Sequence, residues 1–255
     1  MATWIFLRGL TRESRHWGGF IEDFQKVLPG QTIVPIDFAG NGLQNHRPSA
    51  SRVQDMVEDC RTQLAQRNIS GPCHVLAMSL GAMVSVAWAQ SYPQEVAAQV
   101  LINTSMRPFS PFYQRLQPAN YATLLRLVLS RATPTDWERA ILRMTSNRGD
   151  TAVLPRWVEL RHDHPVSVNN ALRQLFAAAR FRALPTPPTT PTLLLTSTHD
   201  RLVAVACSRS LANHWQCPLQ YHAHAGHDLP LDDGPWVANQ IKQWLASFGT
   251  QSDCL

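Results

Sequence analysis

The run His74-Val75-Leu76-Ala77-Met78-Ser79-Leu80-Gly81-Ala82-Met83-Val84-Ser85-Val86-Ala87-Trp88-Ala89 changes character at a single residue. Val75 to Met78 is apolar and too short for a buried helix, so it reads as a strand. From Ser79 onward, Met83, Val84, Ala87 and Trp88 recur at intervals of three and four, the period of a helix. A strand that becomes a helix within one residue leaves no room for large side chains around the turn. Ala77 and Gly81, two residues to either side of Ser79, are both small. Such a turn pushes the Ser79 hydroxyl out at the carboxyl end of a sheet, beside a helix start whose free N–H groups favour negative charge.

The segments on either side have the same alternating rhythm. Residues 2–7 read as a strand, 17–27 as a helix with Phe20, Phe24 and Val27 on one face, and Thr32 to Ile36 as a second strand. The spacing of Val53, Met56, Val57, Cys60 and Leu64 predicts a helix over 51–67, and 97–104 is a strand that stays apolar until Asn103. Strand and helix in strict alternation imply a parallel sheet with helices on both faces. The rhythm breaks at Arg107. Residues 107–182 contain helical stretches at 121–130, 135–143 and 167–181 and no clear strand; they carry twelve arginines against five acids. The chain as a whole is +5, so its basic character belongs to this stretch. After Pro185-Thr186-Pro187-Pro188 the rhythm resumes, with strands at 192–196 and 219–223 and helices at 203–213 and 234–248.

A chain of 255 residues with 44% hydrophobic and 16% charged residues folds around a sizeable core. No run is long and apolar enough to span a bilayer, which argues against a membrane role. Five scattered cysteines without a CxxC pair suggest reduced thiols, and with no basic leader before the first strand the expected location is the cytoplasm. No phosphate loop or aromatic-basic interleaving points to nucleic acid. The arginines of 107–182 suit a carboxylate, a phosphate or an acidic carrier.

The turn at Ser79 resembles the nucleophile elbow of the α/β-hydrolases, normally G-x-S-x-G and here A-x-S-x-G. In that family the triad follows the order serine, acid, histidine. Asp200 in Thr198-His199-Asp200-Arg201-Leu202-Val203 is similar to the family's acid loop, and His227 in Ala225-Gly226-His227-Asp228 to its histidine loop. Each follows a strand, so Ser79, Asp200 and His227 are expected to meet at one sheet edge as nucleophile, orienting acid and base. Some relatives place the acid after the strand at 97–104, but this chain has Asn103-Thr104-Ser105 there. Asp228, Asp232 and Asp233 lie too close in sequence to reach behind the His227 ring. The resemblance assigns the oxyanion hole to the Leu10 and Leu80 amides. Arg8-Gly9-Leu10 stands where the family usually has His-Gly-x, which leaves the support of that loop open.

The fold expected is therefore an α/β-hydrolase core, residues 1–106 and 183–255, with a helical lid at 107–182. The resemblance implies a serine hydrolase that cleaves a small carboxylic ester or thioester, with an anionic or carrier-linked substrate among those it suits, and with no cofactor. His222, His224 and His227 echo a zinc-hydrolase ligand set, but Gly226 replaces its aspartate and no later histidine completes it. Two other functions use the same pocket: a lyase or carbon–carbon bond hydrolase acting on an anion, and a non-catalytic small-molecule receptor.

Overall fold

The computed structural model describes residues 2–130, 132–148 and 152–249. Strand and helix alternate through β1 (Thr3–Leu7), α1 (Phe20–Val27), β2 (Thr32–Ile36), α2 (Val53–Gln66), β3 (Cys73–Met78), α3 (Leu80–Ser91) and β4 (Val96–Ile102). Five helices follow: α4 (Phe112–Arg115), α5 (Tyr121–Leu129), α6 (Pro134–Thr145), α7 (Val153–Asp163) and α8 (Val168–Arg180). The chain then returns through β5 (Thr192–Ser197), α9 (Ala206–Trp215), β6 (Leu219–His222), α10 (Leu229–Asp232) and α11 (Gly234–Gly249).

The six strands form one sheet in the order β2-β1-β3-β4-β5-β6, and every neighbouring pair is parallel. A parallel strand covered on both faces has no solvent side, so it reads as a continuous apolar run rather than an alternating one. That is the pattern of Val75–Met78 and of Leu193–Leu195, all buried. Trp4, Phe6, Trp17, Phe20, Phe24 and Trp244 pack one face with α1 and α11. The other face is covered by α2, α3 and α9 through Val57, Leu64, Trp88, Leu211 and Trp215. Ten consecutive residues of α3, Leu80 to Ala89, are buried, so this helix is apolar all round.

The expected elements differ from the observed ones in ways that have local causes. The first helix starts at Phe20 rather than at 17, because Ser14–Trp17 closes a separate 3-10 turn and Gly18 breaks away with φ +51°. Helix α9 starts at Ala206 rather than at 203, because the Asp200 carboxylate accepts the Leu202 and Val203 amides and holds them in a turn. Helix α7 has no counterpart in the sequence reading. Only Trp157 and Leu160 are buried along it, too narrow a stripe to register as a period. Pro155 is tolerated because it lies in the first turn, where its missing N–H has no intrahelical partner.

The tightest packing in the sheet lies where α3 passes the end of β1. A Cβ at Gly81 would stand 2.6 Å from the carbonyl oxygens of both Leu7 and Arg8. Backbone cannot yield as a flexible side chain does, so Gly81→Ala is expected to lose about 1–3 kcal/mol despite alanine's better helix propensity. Gly19→Ala, with nothing within 4 Å of the added methyl and φ −69°, is expected to be neutral or slightly stabilising. Urea denaturation of the two variants checks the contrast.

Candidate active site

Ser79 occupies the single residue between β3 and α3, with φ +55° and ψ −115°. A non-glycine residue with positive φ is held there only when its surroundings over-determine it. The Ser79 amide donates to the Ile102 carbonyl at 3.0 Å, and its own carbonyl accepts the Thr104 hydroxyl at 3.1 Å. Both partners come from the end of β4, the next strand. On the other side, a Cβ at Gly9 would lie 3.2 Å from Ser79 Cβ and 3.7 Å from its Oγ. The loop after β1 therefore runs directly beside the hydroxyl.

His227 and Asp200 are both buried, and His227 Nδ1 lies 2.7 Å from Asp200 Oδ2. The remaining carboxylate oxygen, Oδ1, accepts the Leu202 and Val203 amides at 2.7 and 2.9 Å. Every strong acceptor of Asp200 is thus committed to fixing either its own loop or the imidazole. The three sequence-predicted residues follow β3, β5 and β6 and lie on one edge of the sheet. Of the two amides expected to bind an oxyanion, Leu80 opens α3 and Leu10 lies in the turn beside Gly9. The Thr11 amide donates to Gln174 Oε1 and the Arg12 amide to the Gly9 carbonyl, so both neighbours are engaged. Among the described residues, the Leu10 and Leu80 amides have no hydrogen-bond acceptor.

Several residues that build this edge carried no motif. Asn103, 1% exposed and at φ +45°, joins the end of β4 to β5 and to the histidine loop. Its Nδ2 donates to the His227 and Gly226 carbonyls and to Ser197 Oγ, while its Oδ1 accepts the Ser197 amide and the Thr196 hydroxyl. The one signal in sequence was a lone amide closing an apolar strand. Arg8 answers the question of what supports its loop. It meets Asp228 end on, Nη1 donating to Oδ1 at 3.1 Å and Nη2 to Oδ2, with its guanidinium 4.8 Å from the Trp17 ring centre. The pair links the residue before Gly9-Leu10 to the residue after His227.

The other acids of the histidine loop are engaged too. Asp232 accepts the Gly226 amide, and Asp233 binds His222 Nε2 at 3.1 Å. His224 stacks on His199 with ring centroids 6.4 Å apart. The three histidines of the HxH run thus face three different partners.

The helices between β4 and β5 are fastened to each of these loops. Gln174 on α8 is fully buried; besides accepting the Thr11 amide, it donates to Asn41 Oδ1 and Ser49 Oγ. Gln117 Nε2 donates to the Asp200 carbonyl at 2.7 Å. Thr145, ending α6, accepts the Asp228 amide at 2.7 Å, and Asn147 Nδ2 bridges the His199 and His224 carbonyls. Arg12 and Arg161 both clasp the buried Glu138 of α6. Burial lowers the Arg12 pKa against the pull of Glu138. Burial, reinforced by the positive charges of Arg12 and Arg8, pushes the His16 pKa well below its ordinary value.

Comparisons with known proteins agree with this architecture. The family model described as serine aminopeptidase, S33, matches residues 2–234. The candidate carbamate hydrolase RutD of Yersinia enterocolitica is 30% identical over 208 residues, 76% of this chain and 71% of the relative. The corresponding protein of Serratia proteamaculans is 26% identical over 78% of this chain and 74% of its own. Among solved structures, the candidate non-heme bromoperoxidase BpoC of Mycobacterium tuberculosis superposes with a TM-score of 0.78 at 21% identity, covering 97% of this chain and 92% of that one. A candidate lipase of Acinetobacter baumannii gives 0.77 at 20% identity, covering 98% and 85%. At these identities the two structures show the shared fold.

Two outcomes follow from the charged core. Arg8→Met strands a buried carboxylate, and breaking such a pair costs about 3–5 kcal/mol; Arg8→Met/Asp228→Leu is expected to recover most of that loss in thermal unfolding. His16 is held neutral when folded but takes up a proton when unfolded below its ordinary pKa, so the unfolded chain binds more protons and stability falls as pH drops. The stability gap between wild type and His16→Gln is expected to be flat above pH 7 and to narrow by roughly 1.4 kcal/mol per unit below pH 6. Urea melts from pH 8 to pH 5 measure it.

Proposed function

The chain belongs to the serine aminopeptidase S33 family of α/β-hydrolases, and we propose that this hydrolase cleaves a carboxylic ester or thioester through an acyl-enzyme on Ser79. The observation that carries the reading is the 2.7 Å contact between His227 Nδ1 and Asp200 Oδ2, at the same sheet edge as a serine held at positive φ. A carboxylate on Nδ1 leaves Nε2 as the basic nitrogen, the one required to take a hydroxyl proton.

In the mechanism, Ser79 Oγ attacks the acyl carbon as its proton passes to His227 Nε2. Asp200 keeps the imidazole in that tautomer and stabilises its charged form. The oxygen that gains negative charge is met by the Leu10 and Leu80 amides, with the start of α3 adding a favourable dipole. Collapse of the tetrahedral species expels the alcohol or thiol, which takes the proton from His227. Water activated by the same imidazole then attacks the acyl-enzyme and frees the acid. Residues 107–182 serve as a lid that shapes the acyl pocket, and Arg8 with Asp228 fixes the spacing of the oxyanion loop and the base.

A carbamate is the second reading, favoured by the 30% identity to a RutD protein. Its acyl carbon accepts the same attack, and only the group flanking it differs. Hydrolysis of p-nitrophenyl acetate is the first test. Ser79→Ala and His227→Ala are each expected to lower kcat by roughly 10^4-fold or more, and Asp200→Asn by about 10^4-fold. Turnover that survives in Ser79→Ala rejects the mechanism. A wild type that is inert to the ester but hydrolyses a p-nitrophenyl carbamate in a Ser79-dependent way selects the second reading.

A further inference from the structure

Beside Asp200, α5, α6 and the loops after β5 and β6 line an open cleft of about 890 Å3. Asp200 lines it; Ser79 and His227 do not. Four arginines face it, Arg126 from α5, Arg139 and Arg143 from α6, and Arg201 from the loop after β5, together with His199 and His224. All six side chains are exposed. Two carboxylates stand against them. Asp200 is consumed by His227 and by two backbone amides. Asp136 closes the first turn of α6 with Thr133 and lies 3.7 Å from Arg139. Among the described residues, Arg126, Arg143 and Arg201 face no carboxylate within ion-pair distance.

We infer that this cleft binds a soluble ligand carrying adjacent phosphate groups. Elsewhere in the chain several arginines pair with acids, as in Arg61 with Glu58 and Glu95, Arg161 with Glu138 and Arg8 with Asp228. Three guanidinium groups lining one concavity repel each other, and an anion between them relieves that repulsion. Each guanidinium offers a planar fork that matches two phosphate oxygens, so several forks lining one cleft suit two linked phosphates better than a single carboxylate. The volume falls in the range of small-molecule sites. Gln117 and Asn120 reach into the same wall and tie it to the backbone of Asp200 and Arg201. The walls are therefore fixed before a ligand arrives. The inference does not depend on Ser79 chemistry, since neither Ser79 nor His227 lines the cleft.

Calorimetric titration of the full chain with pyrophosphate, and separately with ADP, tests it. Wild type is expected to bind both one-to-one, and more weakly as salt rises from about 50 to 500 mM. Arg126→Ala/Arg143→Ala is expected to bind each at least roughly 10-fold more weakly, and Arg201→Gln, from the loop after β5, to lose affinity in the same direction. Arg209→Ala, an exposed arginine of α9 outside the cleft, is the control and should match wild type. A similar arginine-dependent loss for both anions identifies the phosphates as the recognised group. ADP that binds tighter than pyrophosphate with the same arginine dependence places its organic body in the cleft as well. Absence of binding by wild type, or equal affinity in the cleft variants and wild type, overturns the assignment.

Discussion

The molecule turns on how closely two backbones pass at the carboxyl edge of the sheet. Leu7 and Arg8 end β1 with their carbonyls directed at Gly81, where a single methyl would intrude to 2.6 Å. That contact sets α3 against β1, and α3 begins at the residue whose backbone is strained. The Gly9 loop runs alongside Ser79, where a side chain at position 9 would press on the serine Cβ and Oγ. Small residues at 9, 77 and 81 are therefore conditions of the architecture. A hydroxyl presented this way costs backbone strain of order 1–3 kcal/mol, which the buried sheet around it offsets.

Polar groups do the rest of the positioning, and nearly all of them are buried and paired. Asn103, Arg8 with Asp228, Glu138 with Arg12 and Arg161, and Gln174 each connect segments far apart in the chain. Pairing is incomplete at two places in these networks, since Arg8 Nε and Arg12 Nη2 are buried without a hydrogen-bond partner among the described residues. Their distribution also says how the helices between β4 and β5 relate to the sheet. Gln174 holds the loop after β1, Gln117 the loop after β5, and Thr145 with Asn147 the loop after β6. Three anchors to three loops make this segment part of the frame that aligns the edge, in contrast to a flap joined only by hinges.

Much of the fold was legible because buried parallel strands and their covering helices write their burial directly into local sequence. The strand at Thr32 to Ile36 and the apolar face of α2 were read where they stand. The serine turn, the acid loop and the histidine loop were legible through small residues and chain order, and the structure brings the last two into contact. What escaped reading was long-range pairing. Arg8 looked like a departure from a familiar loop, and nothing local to it points 220 residues ahead to Asp228. Asn103 was noticed only for lacking a carboxylate. Helix α7 was lost because two buried residues in eleven make too faint a stripe.

Asn103 has one more consequence, and it concerns how such a site could change over time. Its amide N–H groups face two carbonyls and a hydroxyl of neighbouring loops. An aspartate there would turn acceptor against acceptor at a buried position, and the histidine loop would lose its tether. At position 103 the tethering amide and an orienting acid exclude each other. Any descendant that moved the charge to that position would first have to rebuild the turn on which the imidazole rests.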